Sequence, residues 1–179
     1  MTQIGSAYGE ALYSLAKEEG LSQPILEQLS VLEQCFEAEP NYLKLLSAAS
    51  VSKQERTQIL DEAFSKTLQP YLLNFLKILA EKGYIRHFPH CCTAYRRCYY
   101  VDNGILPVTA VSAVALNEAQ TKRLTEKLTA ITGKTILLSN QVEPELLGGL
   151  RLDFDGKQLD DTILHRLERI RQMLKNTVL

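Results

Sequence analysis

Residues 104–116 read GILPVTAVSAVAL, and the hydrophobic pattern of the chain changes there. Val108 and Ala110 fall on one side of an extended chain, and Val111 falls on the other. Because both sides are apolar and rich in β-branched residues, the pattern predicts a strand that is covered on both faces. Gly104 suits the left-handed conformation just past a helix end, so a helix should stop there.

Upstream of Gly104 the sequence has the pattern of successive helices. Gly20 and Gly83 each follow a segment with helical periodicity, as Gly104 does. Ser52 and Glu55 have the spacing of a capping box, in which a hydroxyl and a carboxylate bind free amides of the first turn, so a helix should start at Ser52. Six helical segments are predicted. The first covers residues 4–19, the second 22–38 and the fifth 70–82. The third holds residues 42–46, the fourth starts at Ser52 and holds Phe64, and the sixth carries an apolar stripe from Phe88 to Cys98.

Two of these helices have unusually apolar surfaces. The fifth is apolar around most of its circumference, so it should be buried in the domain or line a groove. The first has one apolar face, formed by Ile4, Tyr8, Ala11, Leu12 and Leu15. Side by side, the two helices would leave a trough that accepts another helix, although the internal core of the domain could also use both stripes.

Downstream of residue 116 the pattern predicts a second kind of structure. Asn117 and Gln120 mark a helix start, and Gly133 marks the end of that helix. The remaining predicted elements are strands at 135–142 and 149–154, a turn at 155–156 and a final helix over 160–176.

These elements predict an α+β chain with two domains. Residues 1–104 should form an amino-terminal six-helix bundle, and residues 105–179 should form a small carboxy-terminal α/β domain. A chain of 179 residues is long enough for two such domains.

The charge balance excludes several classes of protein. The chain has 20 Lys plus Arg and 21 Asp plus Glu, for a net charge of −1, so nucleic acid is not expected as its main partner. The longest window without a charged side chain, residues 103–117, is shorter than the roughly 20 apolar residues that a bilayer span needs. The first residues lack the pattern of a targeting signal, so the chain is expected to stay where it is made.

A cluster of histidines and cysteines raises the possibility of a metal-dependent enzyme. His87, His90 and Cys91 could face one way on a helix, and these residue types bind zinc. Cys91 and Cys98, however, share an apolar stripe with Phe88, which favours small core side chains over metal ligands.

Basic and aromatic residues in the same region raise a second alternative, a small helical RNA-binding or regulatory protein. The residues concerned are Arg86, Arg96, Arg97, Tyr95, Tyr99 and Tyr100. A solvated helix face over a tyrosine-rich core would explain the same pattern without any ligand.

No nucleophile motif or glycine-rich dinucleotide loop occurs in the sequence. No catalytic, cofactor or metal residue is therefore assigned, and the expected role is binding or structural.

Three stretches together resemble the delta subunit of the bacterial F-type ATP synthase, a relative of the mitochondrial oligomycin-sensitivity-conferring protein. They are AYGEALYSLA at residues 7–16, NFLKILAEKGYI at 74–85 and VEPELLGGLRLDFDGKQLDDTILHRLERIR at 142–171. The third stretch is the most specific, because it joins a glycine pair, an alternating strand, a turn and an arginine-bearing helix. The resemblance covers essentially the whole chain.

The resemblance implies a non-enzymatic stator subunit that uses no cofactor, is present in one copy per complex and lies at the cytoplasmic face of the membrane. It would link the catalytic head to the peripheral stalk, so that rotor torque drives ATP synthesis coupled to proton transport. The implied groove for the amino-terminal helices of alpha subunits uses Tyr8, Ala11, Leu12, Leu15, Asn74, Ile78 and Leu79. The implied contact with the b subunits uses Leu164, Leu167 and Ile170.

Overall fold

A computed structural model of the chain describes residues 2–48, 50–146, 148–154 and 156–160. The chain divides into two compact units, Met1–Tyr99 and Tyr100–Leu179, which we call the helical unit and the mixed unit. The division falls inside the sixth helix, whereas the boundary expected from the sequence lies a few residues further along, after Gly104.

Six α-helices precede the first strand in the described residues. They are α1 Gln3–Glu18, α2 Ser22–Ala38, α3 Pro40–Ser47, α4 Lys53–Phe64, α5 Pro70–Glu81 and α6 Phe88–Asp102. A short 3₁₀ helix, Ile85–His87, leads into α6.

The core of the helical unit draws on all six helices. Its members include the fully buried side chains Ile25, Leu29, Leu46, Leu60, Leu72, Leu76, Phe88 and Tyr95. On α2, α5 and α6 these side chains recur at helical spacing, so each of these three helices turns an apolar stripe inward. Burying each large apolar side chain contributes about 1.5–3 kcal/mol relative to leaving it in water.

The mixed unit is built on a four-stranded sheet with the order β2-β1-β3-β4. Its elements are β1 Ile105–Ser112, α7 Glu118–Thr132, β2 Thr135–Val142, β3 Leu150–Phe154 and β4 Lys157–Asp160. The pairing of β1 with β2 is parallel, with α7 as the crossover, and the other two pairings are antiparallel.

β1 forms the centre of this sheet, and its burial confirms the prediction of a strand covered on both faces. Ala110 and Val111 are both fully buried. Successive side chains of a strand point to opposite faces, so both faces of the sheet are covered at this point.

Local sequence signals define several helix ends as predicted. The Ser52–Glu55 and Asn117–Gln120 pairs both form complete capping boxes. Gly133 ends α7 in the left-handed conformation with a φ of 66°, a backbone geometry that favours glycine.

Residues 157–160 differ from the prediction. They form β4, which pairs with β3, where the sequence indicated only a turn followed by a helix from Asp160. Four residues are too few to show a period, so the pairing partner decides the structure. The predicted final helix after Asp160 lies outside the described residues.

The described chain contains seven α-helices and four strands, which confirms the α+β class. Within these residues no helix combines the length and the apolar character that crossing a bilayer requires.

Candidate partner-binding surface

The predicted groove residues fall on α1 and α5, two helices that contact each other. Leu15 is 38% exposed and Ile78 is 46% exposed, so each helix presents a large apolar side chain to solvent. Ala11 and Asn74 are also exposed, and Tyr8 is half-buried. We call these five residues the α1/α5 surface. None of them carries a charge, so the surface suits an apolar partner more than a charged one.

The other two predicted groove residues, Leu12 and Leu79, lie in the core. Leu12 is 4% exposed and Leu79 is 0% exposed. The apolar stripe on α1 contributes both to the core and to the surface, because α1 packs against α2 as well as α5 and turns Leu12 inward. The exposed part of the predicted groove is therefore limited to the α1/α5 surface.

Two glycines that the sequence patterns did not single out as contact sites position α1 against α6. A Cβ added at Gly9 would lie 2.3 Å from the Cys91 carbonyl oxygen and 2.8 Å from the Ala94 Cβ. A Cβ added at Gly5 would lie 2.4 Å from the Cβ of His90. Only glycine permits this approach, and the four-residue spacing of the two glycines is the sequence signal that could have indicated it.

Aromatic contacts hold α1 in place along its length. Tyr13 meets Tyr95 of α6 edge-on, with ring centroids 5.3 Å apart. Tyr8 meets Tyr84, just after α5, with centroids 6.0 Å apart. The hydroxyl of Tyr95 donates to the Ser22 carbonyl oxygen at 2.8 Å, which also joins α6 to α2. These contacts orient the side of α1 that carries Leu15.

Polar contacts fix α5 at both ends. The Gln69 amide before α5 donates to the side chain of Gln28 at 2.9 Å. The Arg56 guanidinium donates to the Ala80 carbonyl oxygen at 3.0 Å and to the Ala48 carbonyl oxygen at 2.7 Å, near the carboxyl ends of α5 and α3. A cation at helix carboxyl ends is favoured by the dipoles, so Arg56 secures the helix that carries Ile78.

The histidine and cysteine cluster has the character of core packing. His87 and His90 stack with ring centroids 6.5 Å apart, while Cys91 is buried in the core. Desolvation raises the pKa of the Cys91 thiol to about 11, which keeps it protonated and a poor metal ligand at neutral pH. Across the described ranges, no three His, Cys, Asp or Glu side chains are grouped to hold a metal ion.

The basic and aromatic residues of α6 are engaged inside the helical unit. Arg96 forms an ion pair with Glu33, and Arg97 pairs with Glu10 at 2.8 Å. Tyr95 is fully buried. The RNA-binding alternative is therefore not favoured, because two of its three arginines bind carboxylates of the same chain.

The three residues expected to contact the b subunits, Leu164, Leu167 and Ile170, lie outside the described residues.

Comparison with known proteins identifies the family. The family model for the ATP synthase delta (OSCP) subunit matches residues 4–174. The ATP synthase subunit delta of Lactobacillus gasseri is 31% identical over 173 residues, which cover 96% of this chain and 94% of the relative. That of Clostridioides difficile is 28% identical over 176 residues, with 98% and 97% covered.

The fold is also found in a solved structure. A chain in the cryo-EM structure of the Toxoplasma gondii mitochondrial ATP synthase hexamer matches with a TM-score of 0.75 over 97% of this chain and 98% of the other. At 16% identity this match bears on the fold alone. The family model spans nearly the whole sequence, and this chain therefore belongs to the ATP synthase delta (OSCP) subunit family, as its sequence resemblance predicted.

Proposed function

We propose that the chain is the stator subunit that links the catalytic head of an F-type ATP synthase to its peripheral stalk. The observation that carries the proposal is the family match over residues 4–174, which includes both units. The family is a structural component of the synthase and performs no catalysis of its own. A rotary motor needs such a part, because the head would turn with the rotor unless a static link held it.

The amino-terminal six-helix bundle is the head-binding domain in this proposal. Its α1/α5 surface receives the amino-terminal helix of an alpha subunit. The support is the pair of exposed apolar side chains, Leu15 and Ile78, on two helices that touch. Stable interfaces remove about 1,200–2,000 Å² from water, and a few central apolar anchors supply most of their binding energy.

The binding of an alpha amino-terminal peptide to the purified chain tests this surface. Ala11→Asp and Ile78→Asp each place a carboxylate where the peptide would exclude water, and burying an unpaired charge is costly. We expect each variant to weaken binding at least about a hundredfold, or about 2.8 kcal/mol. Because Ala11 and Ile78 are exposed in the free chain, the circular-dichroism spectrum should stay native.

Val31→Asp is the matched control. Val31 is 58% exposed and lies on α2, outside the α1/α5 surface, so the same chemical change should leave peptide affinity intact. Unchanged affinity in Ile78→Asp, or equal losses in Ile78→Asp and Val31→Asp, would contradict the assignment of the surface.

The carboxy-terminal domain is the stalk-binding part in this proposal, and Leu164, Leu167 and Ile170 form the contact with the b subunits. One copy per complex, at the cytoplasmic face of the membrane, completes the assignment. Leu167→Asp should remove the b subunits from the complex recovered in mild detergent while the alpha subunits remain. Retention of the b subunits would exclude this contact.

A further inference from the structure

The α1/α5 surface lies between two contacts that fix its two ends. The Tyr71 hydroxyl, at the start of α5, donates to the carboxylate of Glu19, just after α1, and this hydrogen bond raises the pKa of Tyr71. At the other end, Tyr8 of α1 meets the ring of Tyr84, which follows α5. The carboxyl end of α1 therefore lies beside the amino end of α5, and the two helices run antiparallel.

Two exposed carboxylates lie at the first of these ends. Glu18 and Glu19 are three and four positions beyond Leu15, so they lie one turn further along α1 and flank the same face of the helix. Lys17, the basic residue in the last turn of α1, is only two positions from Leu15 and faces elsewhere. We call Glu18 and Glu19 the acidic end of the α1/α5 surface.

The opposite end of the surface has no such excess of charge. One turn beyond Ile78, α5 ends with Glu81 and Lys82, which are both exposed and opposite in sign. The first turn of α1 contains no acidic residue. A helix laid on the α1/α5 surface would therefore meet a net negative charge at one end only.

The acidic end can accept a cation from a partner. The side chain of Glu18 has no hydrogen bond or ion pair within the described residues. The carboxylate of Glu19 keeps acceptor sites that Tyr71 does not use, since a carboxylate has about four. A partner that covers this end would remove water from both charges, which is costly unless an opposite charge takes its place. The side chain that covers the acidic end should therefore be a lysine or an arginine.

We propose that the acidic end selects a partner helix with a cation at one end of its apolar stripe, and so fixes the direction in which that helix lies. This inference rests on the proposed function, because it names the chemistry of the partner that the α1/α5 surface receives. The cation lies one turn beyond the apolar side chain that packs on Leu15, as the acidic end does on α1. Complementary charges at the rim of an interface set register and orientation more than affinity.

Calorimetric titration of the full-length chain with two synthetic peptides tests the selection. Both peptides are amphipathic helices with a leucine stripe, and one end of the stripe carries either two lysines or two glutamines. The measured quantity is the ratio of the two affinities, because comparing this ratio between chain variants cancels the helicity of the peptides themselves. Glu18→Gln and Glu19→Gln should each lower the preference for the lysine peptide about threefold, the size of one exposed ion pair.

Glu37→Gln is the matched control. Glu37 is exposed on α2, and the rise of that helix places it about 22 Å from the start of α2, which follows Glu19. This distance exceeds two Debye lengths at physiological salt, so the affinity ratio should change less than about 1.5-fold. Because the three glutamates are exposed, all three variants should fold alike.

A spin label at the lysine end of the peptide tests the direction of binding. The label should broaden the amide resonances around Leu15 more than those around Tyr8. Moving the lysines and the label to the other end of the peptide should give the same pattern, because charge sets the direction. Stronger broadening around Tyr8 in either peptide would overturn the proposal.

The same titrations separate this proposal from the α1/α5 surface itself. If neither peptide binds, or if Ile78→Asp does not weaken them, the surface is wrong and the acidic end loses its role with it. If both peptides bind and are weakened by Ile78→Asp, but Glu18→Gln and Glu19→Gln leave the affinity ratio unchanged, the surface stands and the selection by charge is wrong.

Discussion

The helical unit and the mixed unit bury their helices to very different extents. In the helical unit Leu72, Leu76 and Leu79 of α5 are fully buried, and every helix contributes to one core. Among the described residues of the mixed unit, α7 has no buried residue, and the fully buried side chains lie on β1. Packing therefore determines the position of α5, whereas the stability of α7 depends more on its capping hydrogen bonds.

The same difference extends to the surfaces of the two units. The α1/α5 surface is uncharged, and the same two helices place Leu12 and Leu79 in the core. In the mixed unit, the cleft that Arg123 and Lys127 line has a cationic rim on a helix that has no fully buried residue. The α1/α5 surface should therefore bind mainly through apolar burial, and salt should weaken only the preference that its acidic end sets.

The largest expected difference between the units comes from deleting a core side chain. Phe88→Ala removes a fully buried ring that packs edge-on against Phe36, 5.1 Å away between centroids, and should lower the free energy of unfolding by about 3–5 kcal/mol. Ile131→Ala, on the exposed face of α7, should change it by no more than about 0.5 kcal/mol. Urea titration followed by circular dichroism measures the free energy of unfolding of both variants. Similar losses of stability in the two variants would contradict the difference between the units.

A smaller loss of stability is expected from adding a side chain where α1 and α6 lie closest. Gly9→Ala places a methyl group 2.3 Å from a backbone oxygen of α6, and backbone cannot move aside as a side chain can. Overpacking of this kind costs about 1–3 kcal/mol, although alanine is otherwise the better helix former. The control is Ser14→Ala at an exposed position of α1, which should be neutral or stabilising. A Gly9→Ala protein as stable as the wild type would show that α1 and α6 do not need this close approach.

The two capping boxes allow a matched test of how far each helix depends on its cap. Ser52→Ala and Asn117→Ala each remove a cap and should each cost about 1 kcal/mol. Buried Leu60 still holds α4, but α7 has no buried residue, so Asn117→Ala should speed amide hydrogen exchange along its own helix more than Ser52→Ala does. Equal acceleration in both helices would contradict this reasoning.

The smallest expected effect is a difference in acid sensitivity between the same two caps. Hydrogen bonds from the Ser52 amide and hydroxyl lower the pKa of Glu55. Its contribution to stability is therefore present above the usual glutamate pKa of about 4.3 and is lost as the pH falls through the lowered value. Gln120 occupies the equivalent position in α7 and does not titrate. Exchange from the first turn of α4, but not of α7, should accelerate in acid, and Glu55→Gln should remove the difference.

Local chemistry made most element boundaries predictable. Ser52, Asn117 and Gly133 each satisfy free backbone groups at a helix end, and that requirement is visible in one short stretch of sequence. The change from helix to strand at Gly104 was equally predictable, because the sequence of a strand buried on both faces lacks a helical period. β4 was missed, since its structure comes from pairing with a strand rather than from its own four residues.

The candidate surface was only partly predictable for a related reason. Periodicity placed Ala11, Leu12 and Leu15 on one face of α1 but could not say which of them α2 and α5 would cover. The role of Gly9 depends on how closely α6 approaches, which is a property of the assembled unit. Likewise, the position of the acidic end depends on α5 lying antiparallel to α1, which no single motif contains.

ATP-driven proton pumping tests the stator role most directly. Membranes that carry the synthase would be stripped of this chain and rebuilt with the wild-type chain, Ile78→Asp or Val31→Asp. We expect pumping to return with the wild-type chain and with Val31→Asp, while Ile78→Asp leaves ATP hydrolysis without pumping. Full pumping with Ile78→Asp would contradict the α1/α5 surface, and full pumping without the chain would contradict the stator role itself.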